Sequence, residues 1–365
     1  MRRSISESMK TRWNIVVEAL CCFSFVLGLV GCGPIDEDLS DCGIRNQLDY
    51  ELRLVTNMTT ELQTHLTAQT DVTVSNMLRT HLGGVFSDFA HDVDLSFYDV
   101  VGDSVRLDHD VRIMDANQTS YTLYLPVRRY MHTAIANLKN NEEVILTDDE
   151  FCHQSRLTLA QPTADTIRSH TTGLFTARLP MEVQEGIDQV FNVRLYMANC
   201  AAALIADTTG THIRDLRVCT SGFATGFSIC DSVYLFSEQS PVVQAERLDT
   251  LDSSKLCFCS VNFPSPEPEE DVEADDQTRV VIETTDPFAS LGAKHPLWHF
   301  ICYVTLDDGT VTRTVLDITR PLRAGQLYIL TANVQDDGIV SPKDKTVGVS
   351  VTLNWNTIEY PEIPL

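Results

Sequence analysis

The sequence predicts an all-β protein, with two tandem β-sandwich domains behind an N-terminal leader. Three observations carry this. Val347, Val349, Val351, Leu353 and Trp355 alternate with Gly348, Ser350, Thr352, Asn354 and Asn356, the period of two of a strand with one apolar face. Residues 301–306 and 310–318 flank Asp307-Asp308-Gly309, and Asp-Gly between apolar runs marks a hairpin. Elsewhere short apolar runs are punctuated by turns, and long helical periodicity is scarce. At 365 residues the chain suits two domains better than one.

The leader comes first. Arg2, Arg3, Lys10 and Arg12 form a basic segment, and the apolar run 19–30 ends in small residues, the layout of a secretion signal. Met9 opens a tidier version of the same segment. The run is too short to cross a bilayer, which takes roughly 20 apolar residues, and Glu18 blocks its extension back to Ile15-Val16-Val17. Leu29-Val30-Gly31-Cys32 reads as a lipobox, with cleavage between Gly31 and Cys32 and a diacylglyceryl group on the Cys32 thiol. Residues 1–31 are then a lipoprotein signal peptide and residues 32–46 an acidic tether. Each buried methylene contributes about 0.8 kcal/mol, and one acyl chain holds a protein only reversibly; a diacylated cysteine clears that limit. The covalent lipid at Cys32 is expected to be the chain's one prosthetic group.

A formal charge of −24 argues against nucleic acid as a partner, because that contact needs a basic surface to displace counterions. Of eleven cysteines, Cys21 and Cys22 leave with the signal and Cys32 is lipidated. Cys42, Cys152, Cys200, Cys219, Cys230, Cys257, Cys259 and Cys302 remain, in a compartment that permits disulfides, with the pairing left open. Cys257 and Cys259 share one side of a strand, so they bond to different partners or stay reduced.

In the first domain, residues 47–165, Leu48, Tyr50, Leu52 and Leu54 alternate with Asp49, Glu51 and Arg53 as a first strand. Leu62 and Leu66 suggest a short helix, and Gly83-Gly84 a break. Val93, Leu95 and Phe97 resume strand patterning up to a turn at Gly102-Asp103, followed by strands at 121–125, stopped by Pro126, and 130–138. The polar stretch 161–172 marks the boundary. In the second domain, residues 173–365, buried strands are expected at 175–183 and 191–206. The segment 264–276, rich in proline and acid, reads as an exposed loop, and a further strand runs from 327 to 334.

Several of these segments also carry a family resemblance. Asp36-Glu37-Asp38 resembles the acidic run behind the lipidated cysteine of surface-exported lipoproteins in Bacteroidetes. Asp38-Leu39-Ser40-Asp41-Cys42, leading into the strand 48–54, resembles the mature start of the FimB-like fimbrial anchor subunits. A strand ending in Tyr98-Asp99-Val100-Val101-Gly102, ahead of one ending in Leu125-Pro126, is similar to that family's first domain. Pro321 through Tyr328, and then Val347 through Trp355, are similar to its second. The resemblance implies that the sandwiches are transthyretin-like, with Greek-key order. It implies a structural lipoprotein at the cell surface that anchors a fimbria to the outer membrane and limits its length. The implied partners are fimbrial pilin subunits, met by β-strand addition. A subunit that keeps its own first strand offers no open groove and so ends polymerisation. Val347, Val349, Val351, Leu353 and Trp355 are the candidate donor or edge strand.

Catalytic chemistry finds no foothold. His295 and His299 stand at i and i+4, but Pro296 opposes the helix that would align them as metal ligands. Cys152 and His153 are adjacent and would point to opposite faces of a strand, so they cannot act as nucleophile and base together. No nucleophile elbow, phosphate loop or H-E-x-x-H is present. No catalytic or metal residue is therefore assigned, and an enzyme is not expected. Five segments, at Ser104, Thr166, Thr208, Ser232 and Thr250, resemble the Asp-Ser/Thr-apolar O-glycosylation acceptor of Bacteroidetes. The alternative function is a surface lipoprotein that binds glycans or host ligands. That reading needs exposed aromatic platforms, for which the mature chain offers only Trp298 and Trp355 among its tryptophans.

Overall fold

The computed structural model describes residues 45–55, 72–86, 91–113, 120–139, 141–238, 240–248, 254–268, 280–282, 297–343 and 348–352. In chain order the elements begin with β1 (Arg45–Val55), α1 (Val72–Val85), β2 (Asp92–Asp99), β3 (Arg106–Ile113), β4 (Ser120–Pro126), β5 (Arg129–Ala136), β6 (Val144–Thr147) and β7 (Arg156–Leu159). There follow β8 (Thr166–Arg168), β9 (Phe175–Glu182), β10 (Gln189–Met197), β11 (Cys200–Asp207), β12 (Ile213–Ser221), β13 (Gly226–Ser228), β14 (Val233–Leu235), β15 (Val242–Gln244) and β16 (Glu246–Leu248). The last are β17 (Lys255–Asn262), β18 (Val280–Ile282), β19 (Trp298–Leu306), β20 (Val311–Ile318), β21 (Leu327–Val334), β22 (Val340–Pro342) and β23 (Gly348–Thr352).

These strands form sheets in the orders β3-β2-β5-β9-β10-β1-β4, β16-β17-β11-β21-β22 and β18-β23-β20-β19-β12-β15-β8, with a small fourth sheet β14-β13-β7-β6. The class is all-β and the packing is that of a β-sandwich, as the alternating patterns predict. The first sheet is curled. Only Val127 and Arg128 join β4 to β5, a reach of ~11 Å. Along the sheet β9, β10 and β1 lie between them, a span of ~19 Å if it were flat. Curling brings β4 back toward β5, and the Tyr130 hydroxyl donates to the Pro126 carbonyl at 2.9 Å.

The second sheet is buried on both faces. Along β11, Ala201, Ala203 and Ile205 enter one core with Leu48, Tyr50, Leu95, Phe97 and other residues of the first sheet. Cys200, Ala202, Leu204 and Ala206 enter another with Phe300, Val304, Leu316 and other residues of the third sheet. Two sandwich cores thus share a middle layer. β11 is flanked by β17, antiparallel, and by β21, parallel.

The structure bears on three expectations. Among the described residues the α-helix is α1, which runs through Gly83-Gly84 rather than breaking there. Each helical glycine costs roughly 1 kcal/mol against alanine, and burial of Val74, Leu78, Leu82 and Val85 offsets it. Leu62 and Leu66 lie outside the described residues. The expected boundary between residues 47–165 and 173–365 does not coincide with a sheet boundary. Beyond it, β9 pairs with β5, and β10 pairs with β1 in parallel from Leu48 opposite Gln189 to Val55 opposite Tyr196. Parallel pairing needs a crossover, so the partner of β1 lies far off in sequence, where composition gives no sign of it. Lastly, the loop expected to be exposed from 264 starts buried. Ser265 is covered, its N–H donates to the Leu322 carbonyl, and its hydroxyl accepts from the Leu322 N–H. Beyond residue 268 that loop lies outside the described residues.

Cys152, in a short turn before β7, is disulfide-bonded to Cys230, just past β13, across 78 residues of chain. A loop of that length constrains the unfolded state by about 4 kcal/mol in the chain-entropy account. Reduction, or the double substitution of Cys152 and Cys230 by Ala, is expected to lower unfolding stability by about 2–4 kcal/mol in urea titrations. An unchanged midpoint would show that the bond does not constrain the unfolded chain.

Candidate assembly strands

β1 sits inside its sheet, between β10 and β4, and not at an edge. Its alternation explains this placement: Leu48 and Tyr50 are fully buried, while Asp49 and Glu51 face solvent. The Tyr50 hydroxyl hydrogen-bonds to His132 Nε2 on β5. His132 Nδ1 lies 3.0 Å from the Ser96 carbonyl on β2. A carbonyl only accepts, so Nδ1 carries the proton and Nε2 accepts from Tyr50. The imidazole stacks on Phe97 with centroids 4.4 Å apart. Burial holds its pKa down to about 4, opposed only in part by the Ser96 hydrogen bond. A neutral ring thus ties the first strand to β2 and β5 by a directed polar link inside an apolar core.

His170 is a second buried imidazole among the described residues. Its Nδ1 accepts from the Asn199 amide at 2.7 Å, its ring meets Phe263 edge-on, and burial again holds its pKa down to about 4. Neither histidine was singled out in the sequence. The available sign was position: His132 falls on the inward row of β5 with Tyr130 and Ala134, where an unpaired polar group is costly.

The candidate donor strand falls partly outside the described residues, as do Gly31, Cys32, Val347, Leu353 and Trp355. Val349 and Val351 lie on β23, whose backbone pairs on both sides within its own sheet. Val351 stands opposite Thr314 of β20 and Ile282 of β18, and Val349 opposite Leu316 and Val280. On that side β18, not β23, ends the sheet.

Among the described residues, no three His, Cys, Asp or Glu side chains are grouped to hold a metal ion. His295 lies outside them, and His299 pairs with Asp317 at 2.8 Å. Cys152 is consumed by its disulfide, beside His153 in a turn rather than a strand. Cys200, Cys219, Cys257, Cys259 and Cys302 are free and buried. Burial pushes the Cys219 thiol up to about 11 and the Cys257 thiol up to about 12, so both stay protonated and inert. Trp298 is core: its indole N–H donates to the Arg320 carbonyl at 2.9 Å, and the ring packs on Phe300 and Tyr328. Among the glycosylation-like segments, Ser232 is exposed in a turn, Thr166 is buried in β8, and Thr250 lies outside the described residues.

No family model matches the sequence, and no curated protein does. Solved structures of similar shape include the fimbrial anchor protein Mfa2 from Porphyromonas gingivalis, at 13% identity and TM-score 0.45, covering 84% of this chain and 95% of that one. A candidate adhesin from Bacteroides ovatus matches at 10% identity and TM-score 0.48, over 86% of this chain and 97% of that one. A candidate polysaccharide-binding protein from Bacteroides thetaiotaomicron matches at 10% and 0.48, over 82% and 96%. Likenesses this distant carry no functional argument.

Two predictions follow from the buried polar groups and the paired strand. His132 and His170 are neutral in the fold with pKa near 4, against 6.5 for a free imidazole. As pH falls the unfolded chain binds these protons first, so the stability present at neutral pH is lost as pH drops from about 6.5 toward 4. Between pH 7 and pH 5, above most carboxylate titration, each ring removes about 2 kcal/mol. Urea unfolding at the two pH values measures this, and equal stabilities would mean that the rings are not buried neutral. Val351→Asp in the full chain is expected to lower the melting temperature, since a charge inside a paired strand is costly. Unchanged melting would mean that the row 347–355 faces solvent.

Proposed function

We propose that this chain is a structural lipoprotein of the FimB-like anchor type, which fixes a fimbria to the outer membrane through lipid on Cys32. In this reading its partners are pilin subunits joined by strand addition, its place is the cell surface, and it catalyses nothing. One observation carries the reading. β1, which follows the acidic tether directly, fills an interior position between β10 and β4, with Leu48 and Tyr50 buried. Strand addition requires an unfilled position in a sheet, where main-chain groups and side-chain pockets await a partner strand. A subunit whose own first strand occupies that position cannot accept another there. Such a subunit suits the end of a filament and a limit on its length. The lipobox Leu29-Val30-Gly31-Cys32 supports the same reading by tying that end to a membrane. Burial of Trp298 removes one of the two tryptophans that a glycan-binding platform would have used.

Replacing Cys32 by Ala is expected to move the protein from the membrane fraction to the soluble fraction and to release filaments into the medium. Deleting the gene should change filament length or attachment, seen by electron microscopy, while pilin synthesis continues. Retention of the Cys32→Ala protein in the outer membrane would remove the lipid anchor. Normal, firmly attached filaments on deletion cells would remove the anchor function and favour the binding module.

A further inference from the structure

We propose that the end of the first sheet at which β1 begins lies against the surface of the lipid bilayer, with the turns there making a shallow apolar contact. This rests on lipidation of Cys32 as read above. Strand directions define the end. β10 is parallel to β1, Leu48 opposite Gln189, so both strands start there. β9 runs against β10, and β5 against β9 with Arg129 opposite Glu182. β2 finishes there, Asp99 opposite Tyr130, and β3 departs from it. The turns 100–105, 127–128 and 183–188 therefore gather at one end. They touch: the Val183 N–H donates to the Arg128 carbonyl at 2.9 Å, and Arg128 lies 4.0 Å from the Asp99 carboxylate.

Beside exposed Gly102, Asp103, Glu185 and Asp188, these turns and the start of β10 expose apolar side chains. Val100, Val101, Val127, Ile187 and Val190 are all exposed, Val101 by 75%, Val190 by 57% and Ile187 by 53%. Gly102, Ser104 and Gly186 supply the positive φ that the turns need, so the exposed valines and isoleucine have no conformational role there. None of these five side chains belongs to a core cluster, so the fold does not account for them. Clustered apolar exposure of this kind marks a contact surface.

The tether says what covers it. Arg45, the first residue of β1, follows Cys32 by only thirteen residues. A chain of that length spans at most ~45 Å. The acyl chains therefore keep this end of the sheet, where β1 begins, nearest the bilayer along the chain and at high effective concentration. Charge selects the mode of contact. Asp99, Asp103, Glu185 and Asp188 outnumber Arg128 and Arg129 around the valines, so attraction to anionic headgroups is not the driving force. Partition of apolar side chains into the boundary between headgroups and acyl chains is. A protein seated on the same turns is the competing occupant.

The test uses the lipidated full chain in vesicles of phosphatidylethanolamine and phosphatidylglycerol with brominated acyl chains, which quench tryptophan on contact. Val101→Trp and Ile187→Trp place reporters in the turns. Tyr196→Trp places one at an exposed site, 55% accessible, ~20 Å further along β10 from Val190. Fluorescence of the unsubstituted chain supplies the background, and flotation of that chain and of Cys32→Ala is measured alongside. Quenching at 101 and 187 several-fold above that at 196 is the expected result. If the parent chain floats and Cys32→Ala does not, yet all three reporters are quenched alike or not at all, lipidation stands and the membrane contact is overturned. If the parent chain does not float, the lipid reading fails and the contact falls with it.

Discussion

The constraint on which the architecture depends is that β11 is buried on both faces. From Cys200 to Ala206 every side chain is covered, and the strand has neighbours on both edges. Such a strand has no wet face on which to place a charge, and Asp207 appears only where it ends and pairs with Lys343 at 2.8 Å. It also has little room: four of its residues are alanines, which let the sheets on either side approach. Small residues in the middle layer are matched by large ones in the outer sheets, Tyr50 and Phe97 on one side and Trp298 and Phe300 on the other. Close packing is met by sharing volume across the layers and not within each strand.

A middle layer of this kind makes the two sandwiches interdependent. Removing either outer sheet would leave one face of β11, β17 and β21 in water, and the apolar area involved makes separate folding of the halves unfavourable. Polar groups inside the cores are in several places tied to one another, although Asn262 Oδ1 stays buried without a partner. Thr220 and Ser260 exchange a hydrogen bond at 3.0 Å between the second and third sheets, and Asn262 reaches Ser260 at 3.1 Å. His132 lies between Tyr50 and Ser96, and Asn199 between His170 and the Leu174 N–H. Each link is directional, so it fixes which strands meet as well as how firmly.

What was legible in the sequence was what depends on neighbours in the chain. The hairpin at Asp307-Asp308-Gly309 forms as expected, with Gly309 at φ 87° and β19 pairing with β20 on either side of it. β20 alternates in burial along its whole length, as its period of two requires, and β1 buries Leu48 and Tyr50 while exposing Asp49 and Glu51. What was not legible depends on partners remote in sequence. Nothing in residues 48–54 announces that their parallel neighbour is Gln189–Met197, so a boundary drawn from the polarity of 161–172 cut through a sheet. β7 and β8, short and lying around that stretch, likewise pair forward with β13 and β15. The helix was missed because Gly83-Gly84 was read by local propensity, whereas Leu78, Leu82 and Phe86 decide the matter through the core they enter. The buried histidines were missed for a related reason, since a histidine on an apolar row is explained only by the residues across from it.

The same distinction bears on how firmly the first strand is held. For β1 to leave its sheet, the ladder bonds to both neighbours must break together, because an interior strand cannot be peeled from one side as an edge strand can. Leu48 and Tyr50 would go to water, at about 1.5–3 kcal/mol for each large side chain. His132 would keep its bond to Ser96 but lose the Tyr50 hydroxyl, leaving Nε2 as an unpaired acceptor in a core that penalises it by a further ~1–3 kcal/mol. A substitute strand from another chain would need an apolar pair at the same spacing and a donor at the second position. It would also have to compete with a strand that covalent linkage keeps at the site. Retention of β1 is thus an energetic property of its position, independent of any particular partner, and it leaves the chain complete in that sheet.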